Sequence, residues 1–134
     1  MSYSVTKTIH FSYGHRLSDY EGECRNFHGH NGKAEIELSS DSLNQFGMVR
    51  DFREVNQVMK AWIDQTLDHK LILWKNDPLA ALLKQQKEPF YEMETRPTAE
   101  AIAKLIYDVA ISKGFPATRV TLWETETSSA TYHG

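Results

Sequence analysis

The only cysteine of this chain and two of its six histidines are crowded into seven residues, "CRNFHGH", from Cys24 to His30. Side chains alternate faces along a strand, so a His-Gly-His on a strand sends both imidazoles to the same side. Residues 3–13, "YSVTKTIHFSY", alternate and are rich in β-branched and aromatic residues. They predict a first strand, residues 14–27 a polar loop, and residues 31–40, "NGKAEIELSS", a second strand. Val5, Ile9, Phe11 and Tyr13 share the parity of His15, with Lys7 the one misfit, and Ala34, Ile36 and Leu38 share the parity of His28 and His30. Paired as a hairpin, the two strands bring His15, His28 and His30 to one rim, with Cys24 on the loop between. Three neutral imidazoles suit zinc and leave one coordination position open for water or substrate. Taken singly, each histidine reads as a half-buried, hydrogen-bonded side chain. Taken together, they predict a metal site. His10 has the opposite parity and His133 lies beside the last residue, so neither is assigned a role.

Three other residues carry chemistry. Cys24 reads as a fourth metal ligand, as a thiolate activated by a nearby cation or imidazole, or as an inert thiol, and spacing does not separate these. In "LDHKL", residues 67–71, Asp68 stands beside His69, where a carboxylate can orient an imidazole or hold its charge; the plainer reading is a helix-end histidine next to a solvated aspartate. In the late strand Glu124 shares parity with Val120 and Leu122. A carboxylate on an apolar face needs a strong partner, either a ligand with two parallel N–H donors or an interstrand cation.

The rest of the chain must position these groups. Its 134 residues fit one domain; 40% are hydrophobic and 25% charged, with a net charge of −3. No basic excess points to nucleic acid, and no apolar run approaches the roughly 20 residues of a membrane span. The opening "MSYSVTKTIHF" lacks the pattern of a signal peptide, and one cysteine forms no internal disulfide, so a cytoplasmic setting is expected. Asp51 and Glu54 resemble a capping box ahead of a helix whose apolar residues are Phe52, Val55, Met59, Trp62 and Ile63. Pro78 opens a short helix over 78–87, and "PFYEME" is a short extended piece. Thr98 caps a second long helix, with Ile102, Leu105, Ile106, Val109 and Ala110 as its stripe, ending near Gly114. Residues 118–125 form a strand with which "SATYH" pairs. Strands in runs with helices between predict an α+β fold, an antiparallel sheet carrying its helices on one face.

The ordered set "FSYGHRL" (11–17), "CRNFHGH" (24–30), "MVRDF" (48–52), "LDHKL" (67–71), "RPTAEAIA" (96–103) and "VTLWET" (120–125) resembles the 6-pyruvoyl-tetrahydropterin synthase and 6-carboxytetrahydropterin synthase family over nearly the whole chain. The three-residue spacing between Cys24 and His-Gly-His is most similar to the bacterial 6-carboxy enzymes. The resemblance implies a single T-fold domain over residues 1–134, a four-stranded antiparallel sheet with two long helices on one face. It implies sheets joined into a trimeric barrel, two trimers stacked as a homohexamer, and active sites between subunits. It further implies Zn2+ on His15, His28 and His30, Cys24 as catalytic base, Asp68 and His69 as its partners in proton transfer, and Glu124 as the pterin anchor. Thr98 and Glu100 fall where the family lines the pterin pocket.

The implied activity is that of a zinc-dependent lyase of the queuosine (7-deazaguanine) pathway. Such a lyase turns 7,8-dihydroneopterin triphosphate into 6-carboxy-5,6,7,8-tetrahydropterin, acetaldehyde and triphosphate. A sister enzyme making the 6-pyruvoyl product and a non-catalytic zinc-binding oligomer are the alternatives. Arg16, Arg25 and Lys70 lie near the motifs, within range of a substrate's phosphates, but the plainer reading of each is an exposed charge. One departure stands out: family members commonly carry small residues where this chain has Tyr13 and Gly14, and Tyr13, facing the same side as His15, is expected to narrow the pocket.

Overall fold

The computed structural model describes residues 1–134. Strand β1 runs from Tyr3 to His15 and strand β2 from His28 to Ser40, paired antiparallel so that Tyr13 faces His30 and His15 faces His28. Both strands are longer than the alternation alone predicted, because the histidines and the glycines between them continue the ladder. The helix α1 starts at Phe52–Val55, passes through a wider π turn at Asn56–Lys60 and finishes at Ala61–Thr66. Then follow β3 (Lys70–Trp74), α2 (Pro78–Gln86), β4 (Tyr91–Met93), α3 (Ala99–Ser112), β5 (Ala117–Thr125) and β6 (Ser128–His133).

The sheet order is β4-β3-β1-β2-β5-β6. The four strands β1, β2, β5 and β6 are the expected antiparallel set. The sheet has six strands rather than four, because β3 and β4 add in parallel along the free edge of β1. In β3 the consecutive residues Ile72 and Leu73 are both fully buried, so "KLILW" lacks the alternation that marks a half-buried strand.

Both long helices bury their stripes against one face of the sheet. Val55, Met59, Ile63 and Leu67 join Ile102, Ile106 and Ala110 and the inner residues of β1, β2 and β5 in one cluster of 21 buried side chains. The first four recur every fourth residue, a spacing that drifts around a regular helix of 3.6 residues per turn. The wider π turn at Asn56–Lys60 takes up that drift and keeps the four on one side. Phe52, expected in the stripe, is exposed, and Trp62 is half-buried. Asp51 and Thr98 cap as read, accepting from the Arg53 amide (2.8 Å) and the Ala101 amide (3.1 Å), and Asp77, ahead of Pro78, also caps by accepting from Leu79 (2.9 Å). The Glu54 side chain bonds Arg50 rather than returning to the cap. No helix is long and apolar enough to cross a membrane.

Candidate active site

Residues of matching parity on β1 and β2 meet at the end of the hairpin. His15 is 5% exposed, and its Nδ1 donates to the Pro97 carbonyl (2.7 Å) at the entrance to α3. The Nδ1 of His28 donates to the Asn26 carbonyl (2.8 Å). A carbonyl only accepts, so both rings carry their proton on Nδ1 when neutral and turn an Nε2 lone pair inward. The ligand-capable nitrogens of His15, His28 and His30 lie within 4.8 Å of one another, and the Nε2 atoms of His15 and His30 are 3.1 Å apart.

Glu124 reaches this spot from β5. Its Oε2 is 3.2 Å from His15 Nε2 and 3.1 Å from His30 Nε2, and it accepts from the Tyr13 hydroxyl at 3.3 Å. Hydrogen bonding to His15 holds the Glu124 carboxyl below its ordinary value despite burial. Burial pushes His30 down, against the pull of Glu124 and with the help of the other two imidazoles. Burial, then the Glu124 charge, raises Tyr13 far above an ordinary phenol, so its hydroxyl is a donor throughout the working pH range. With His15 neutral, its Nε2 lone pair, the Glu124 carboxylate oxygen and His30 Nε2 face one another at about 3 Å. Such a cluster is stable only with something positive among them, a proton or a cation. The donor set, with backbone carbonyls fixing two of its rings, therefore fits a divalent metal such as zinc.

The other expected residues fall around this centre. Cys24 lies in a single 3-10 turn, Glu23–Arg25, within the loop; it is exposed and is not among the donors that converge. Its carbonyl accepts from the Leu17 amide (2.7 Å), which pinches the loop closed. Asp68 accepts from the Ser12 amide (2.8 Å) and from His69 Nδ1 (2.8 Å), while the His69 amide bonds the Ser12 carbonyl (2.7 Å). His69 sits at φ 60°, a left-handed conformation uncommon for a residue other than glycine. Its exposed imidazole opens onto a cleft of about 550 Å³ shared with Ser12, Asn31 and the His28–His30 stretch. Thr98 and Glu100 line a different and larger hollow, about 770 Å³, between β4 and α3. Because the Thr98 hydroxyl caps α3, Glu100 is the freer of the two. His10 and His133 are exposed.

Several residues that hold the site were not foreseen. Arg16 is not a free surface charge: its guanidinium bonds Asp77 through Nε (2.8 Å) and a second nitrogen, and lies 4.2 Å from the Phe27 ring centroid. Asp77 is 2% exposed, and the Arg16 hydrogen bonds hold its carboxyl below the usual carboxylate range. Arg96 ties the other end of the loop, donating to the Ser18 carbonyl (2.8 Å), pairing with Asp19 (2.9 Å) and stacking on Trp74. Pro78 was legible as a helix start; the pairing of Asp77 with Arg16, 61 residues away, was not.

Residues 4–134 match the 6-pyruvoyl tetrahydropterin synthase family. The chain is 32% identical to a 6-carboxy-5,6,7,8-tetrahydropterin synthase of Aquifex aeolicus, covering 98% of both chains. It is 30% identical to the enzyme of that name from Haemophilus influenzae, covering 97% of this chain and 98% of the other. Among solved structures, it is similar to 6-pyruvoyl tetrahydropterin synthase of Caenorhabditis elegans, with a TM-score of 0.73, 26% identity, and 98% of this chain and 95% of that one covered. An uncharacterized protein from Wolinella succinogenes superposes with a TM-score of 0.80 at 28% identity, over 98% of both chains. The similarity thus spans nearly the whole chain, on an α+β T-fold. From its fourth residue to its last, this chain belongs to the 6-pyruvoyl tetrahydropterin synthase family.

Proposed function

We propose that the chain is a zinc-dependent lyase that converts 7,8-dihydroneopterin triphosphate to 6-carboxy-5,6,7,8-tetrahydropterin, with release of acetaldehyde and triphosphate, serving queuosine (7-deazaguanine) synthesis in the cytoplasm. The observation that carries this reading is the convergence of His15, His28 and His30 beside Glu124. The names of the relatives favour the 6-carboxy product. His15, His28 and His30 hold the metal, which when bound supplies the Lewis acidity that weakens C–H and O–H bonds in the substrate's side chain.

Glu124 takes the 2-amino and N3–H edge of the pterin and fixes where its side chain falls. Cys24, as thiolate, removes a carbon-bound proton from that side chain; an ordinary thiol with a pKa of about 8.5 needs a cationic neighbour for this. His69, oriented by Asp68, carries protons to and from the side-chain oxygen. Thr98 and Glu100 line the pterin pocket in this reading, which takes in the hollow between β4 and α3. In this reading residues 1–134 form one T-fold domain. Sheets join into a barrel of three subunits, two such rings stack as a homohexamer, and Asp68–His69 of one chain serves the zinc site of another.

The test is product identification on zinc-reconstituted protein given dihydroneopterin triphosphate. Acetaldehyde and a 6-carboxy product are expected. A 6-pyruvoyl product without acetaldehyde assigns the sister reaction instead. Protein that binds zinc but turns nothing over, and that loses the metal when Cys24 is replaced by alanine, is a structural oligomer.

A further inference from the structure

Tyr13 is 4% exposed, yet it reaches the site's carboxylate from two strands away. The register that pairs Lys33 with Trp123 and Ala34 with Leu122, carried one residue on, sets Gly32 of β2 opposite Glu124 of β5. Tyr13 belongs to β1, on the far side of β2. Its ring crosses β2 over Gly32: a Cβ placed there would stand 2.9 Å from Tyr13 Cε1 and 3.3 Å from the Phe11 carbonyl. Any side chain at position 32 would therefore displace the ring. Phe11 stacks behind it at a centroid separation of 5.2 Å, and His15 and His30 flank it at 5.2 and 5.6 Å. With those walls the phenol has little rotational freedom, and its hydroxyl ends on Glu124 Oε2 at 3.3 Å. Oε2 is thus engaged by Tyr13 and the two imidazoles, while Oε1 has no protein partner.

We infer that Tyr13, seated in the gap left by Gly32, is a positioning residue that locks the Glu124 carboxylate in the orientation that receives a heterocycle edge bearing two adjacent N–H donors. This rests on the reading of Glu124 as the ring anchor. A carboxylate free to rotate about its Cγ–Cδ bond presents both oxygens to such an edge only part of the time. One restrained by a rigid phenol is preorganised, which strengthens ring binding and leaves the proton-transfer groups untouched.

The experiment measures binding of 6-carboxypterin, followed by its fluorescence, to metal-free and zinc-loaded protein. The proteins are wild type, Tyr13→Phe, Gly32→Ala, Glu124→Gln and the Tyr13→Phe/Glu124→Gln double variant, with zinc content and circular dichroism checked for each. Tyr13→Phe keeps the ring and removes only the hydroxyl. It is expected to weaken binding about tenfold with zinc content unchanged, in line with losing a hydrogen bond to a charged group. In turnover the loss is expected in KM rather than kcat. Gly32→Ala, which keeps the hydroxyl but shifts the ring, is expected to do the same. In the Glu124→Gln background Tyr13→Phe is expected to add little, because it acts through that carboxylate. Wild-type binding matched by Tyr13→Phe, or an undiminished effect of Tyr13→Phe beside Glu124→Gln, overturns the inference while leaving the pterin reading standing. A wild-type protein that binds no pterin overturns both.

Discussion

Replacing Asp77 separates the ion pair that holds the Cys24 loop from the cap that starts α2. Asp77 is 2% exposed, receives two hydrogen bonds from the Arg16 guanidinium and one from the Leu79 amide. Removing one member of a buried pair costs about 3–5 kcal/mol, because the other charge is left without a partner. Arg16 retains 23% side-chain exposure and lies against Phe27, which places its cost at the lower end, about 3 kcal/mol. Losing the cap adds about 1 kcal/mol. Asp77→Ala is thus expected to cost about 4 kcal/mol. Asp77→Asn, which can still cap and accept one bond from Arg16, is expected to cost about 2 kcal/mol. Both are read from urea unfolding at fixed protein concentration, with the slope unchanged. The acid dependence follows from the Asp77 carboxyl, which Arg16 holds below its ordinary value of about 3.9. A carboxyl depressed in the fold stabilises fully above its unfolded pKa, and that contribution is lost as pH falls through the lower folded value. The gap between wild type and Asp77→Asn is therefore expected to hold from pH 7 to pH 5 and to close below about pH 4. A gap that stays constant down to pH 3, or an Asp77→Ala protein as stable as wild type, refutes the reasoning.

Cys24→Ala is expected to retain full zinc content while turnover falls by at least about a hundredfold; loss of zinc would make the thiol a ligand. A Cys24→Ala chain and a His69→Ala chain, each inactive alone, are expected to regain part of the activity when refolded together. No recovery would place the thiol and that imidazole in the same chain's site. Zinc uptake is expected to expel a proton from the cluster of His15, His30 and Glu124, so its calorimetric heat should vary with the ionisation enthalpy of the buffer. A heat independent of buffer would mean that no proton holds the metal-free cluster together.

What could be read from the sequence followed from local periodicity. The alternation of β1 and β2 placed His15, His28 and His30 on one face without any knowledge of register. Thr98 and Asp51 announced their helices because a cap acts on amides two or three residues on. Where two faces are buried at once, as at Ile72 and Leu73, alternation vanishes and β3 passed unseen. The π turn in α1 was equally hidden: a spacing of four is what a regular helix nearly has, and only packing decides that the helix widens to keep it. Arg16, Arg96 and Tyr13 found their partners at separations of 61, 78 and 111 residues, set by the stacking of three strands and the approach of α2. Parity did put Tyr13 and Glu124 on the same face, but it said nothing of the gap at Gly32 through which they meet.

On the proposed function, the site divides into a fixed half and an adjustable half, and the division separates recognition from chemistry. His15, His30, Tyr13 and Glu124 come from three adjacent strands of a continuous ladder, so their backbone positions relative to one another change only if the sheet itself deforms. Cys24 hangs on a loop whose position depends on discrete ties: Leu17 to its carbonyl, Arg16 to Asp77, and Arg96 to Ser18 and Asp19. A ring bound on the strands is held without reference to the loop. A thiol that must approach a carbon–hydrogen bond depends on every one of those ties. Substitutions at Tyr13 or Glu124 therefore act first on how tightly the ring is held, and substitutions at Arg16, Asp77 or Arg96 on how often the thiol is in reach. The two groups should also be additive, because one set perturbs the ladder and the other the loop, and they share no hydrogen bond.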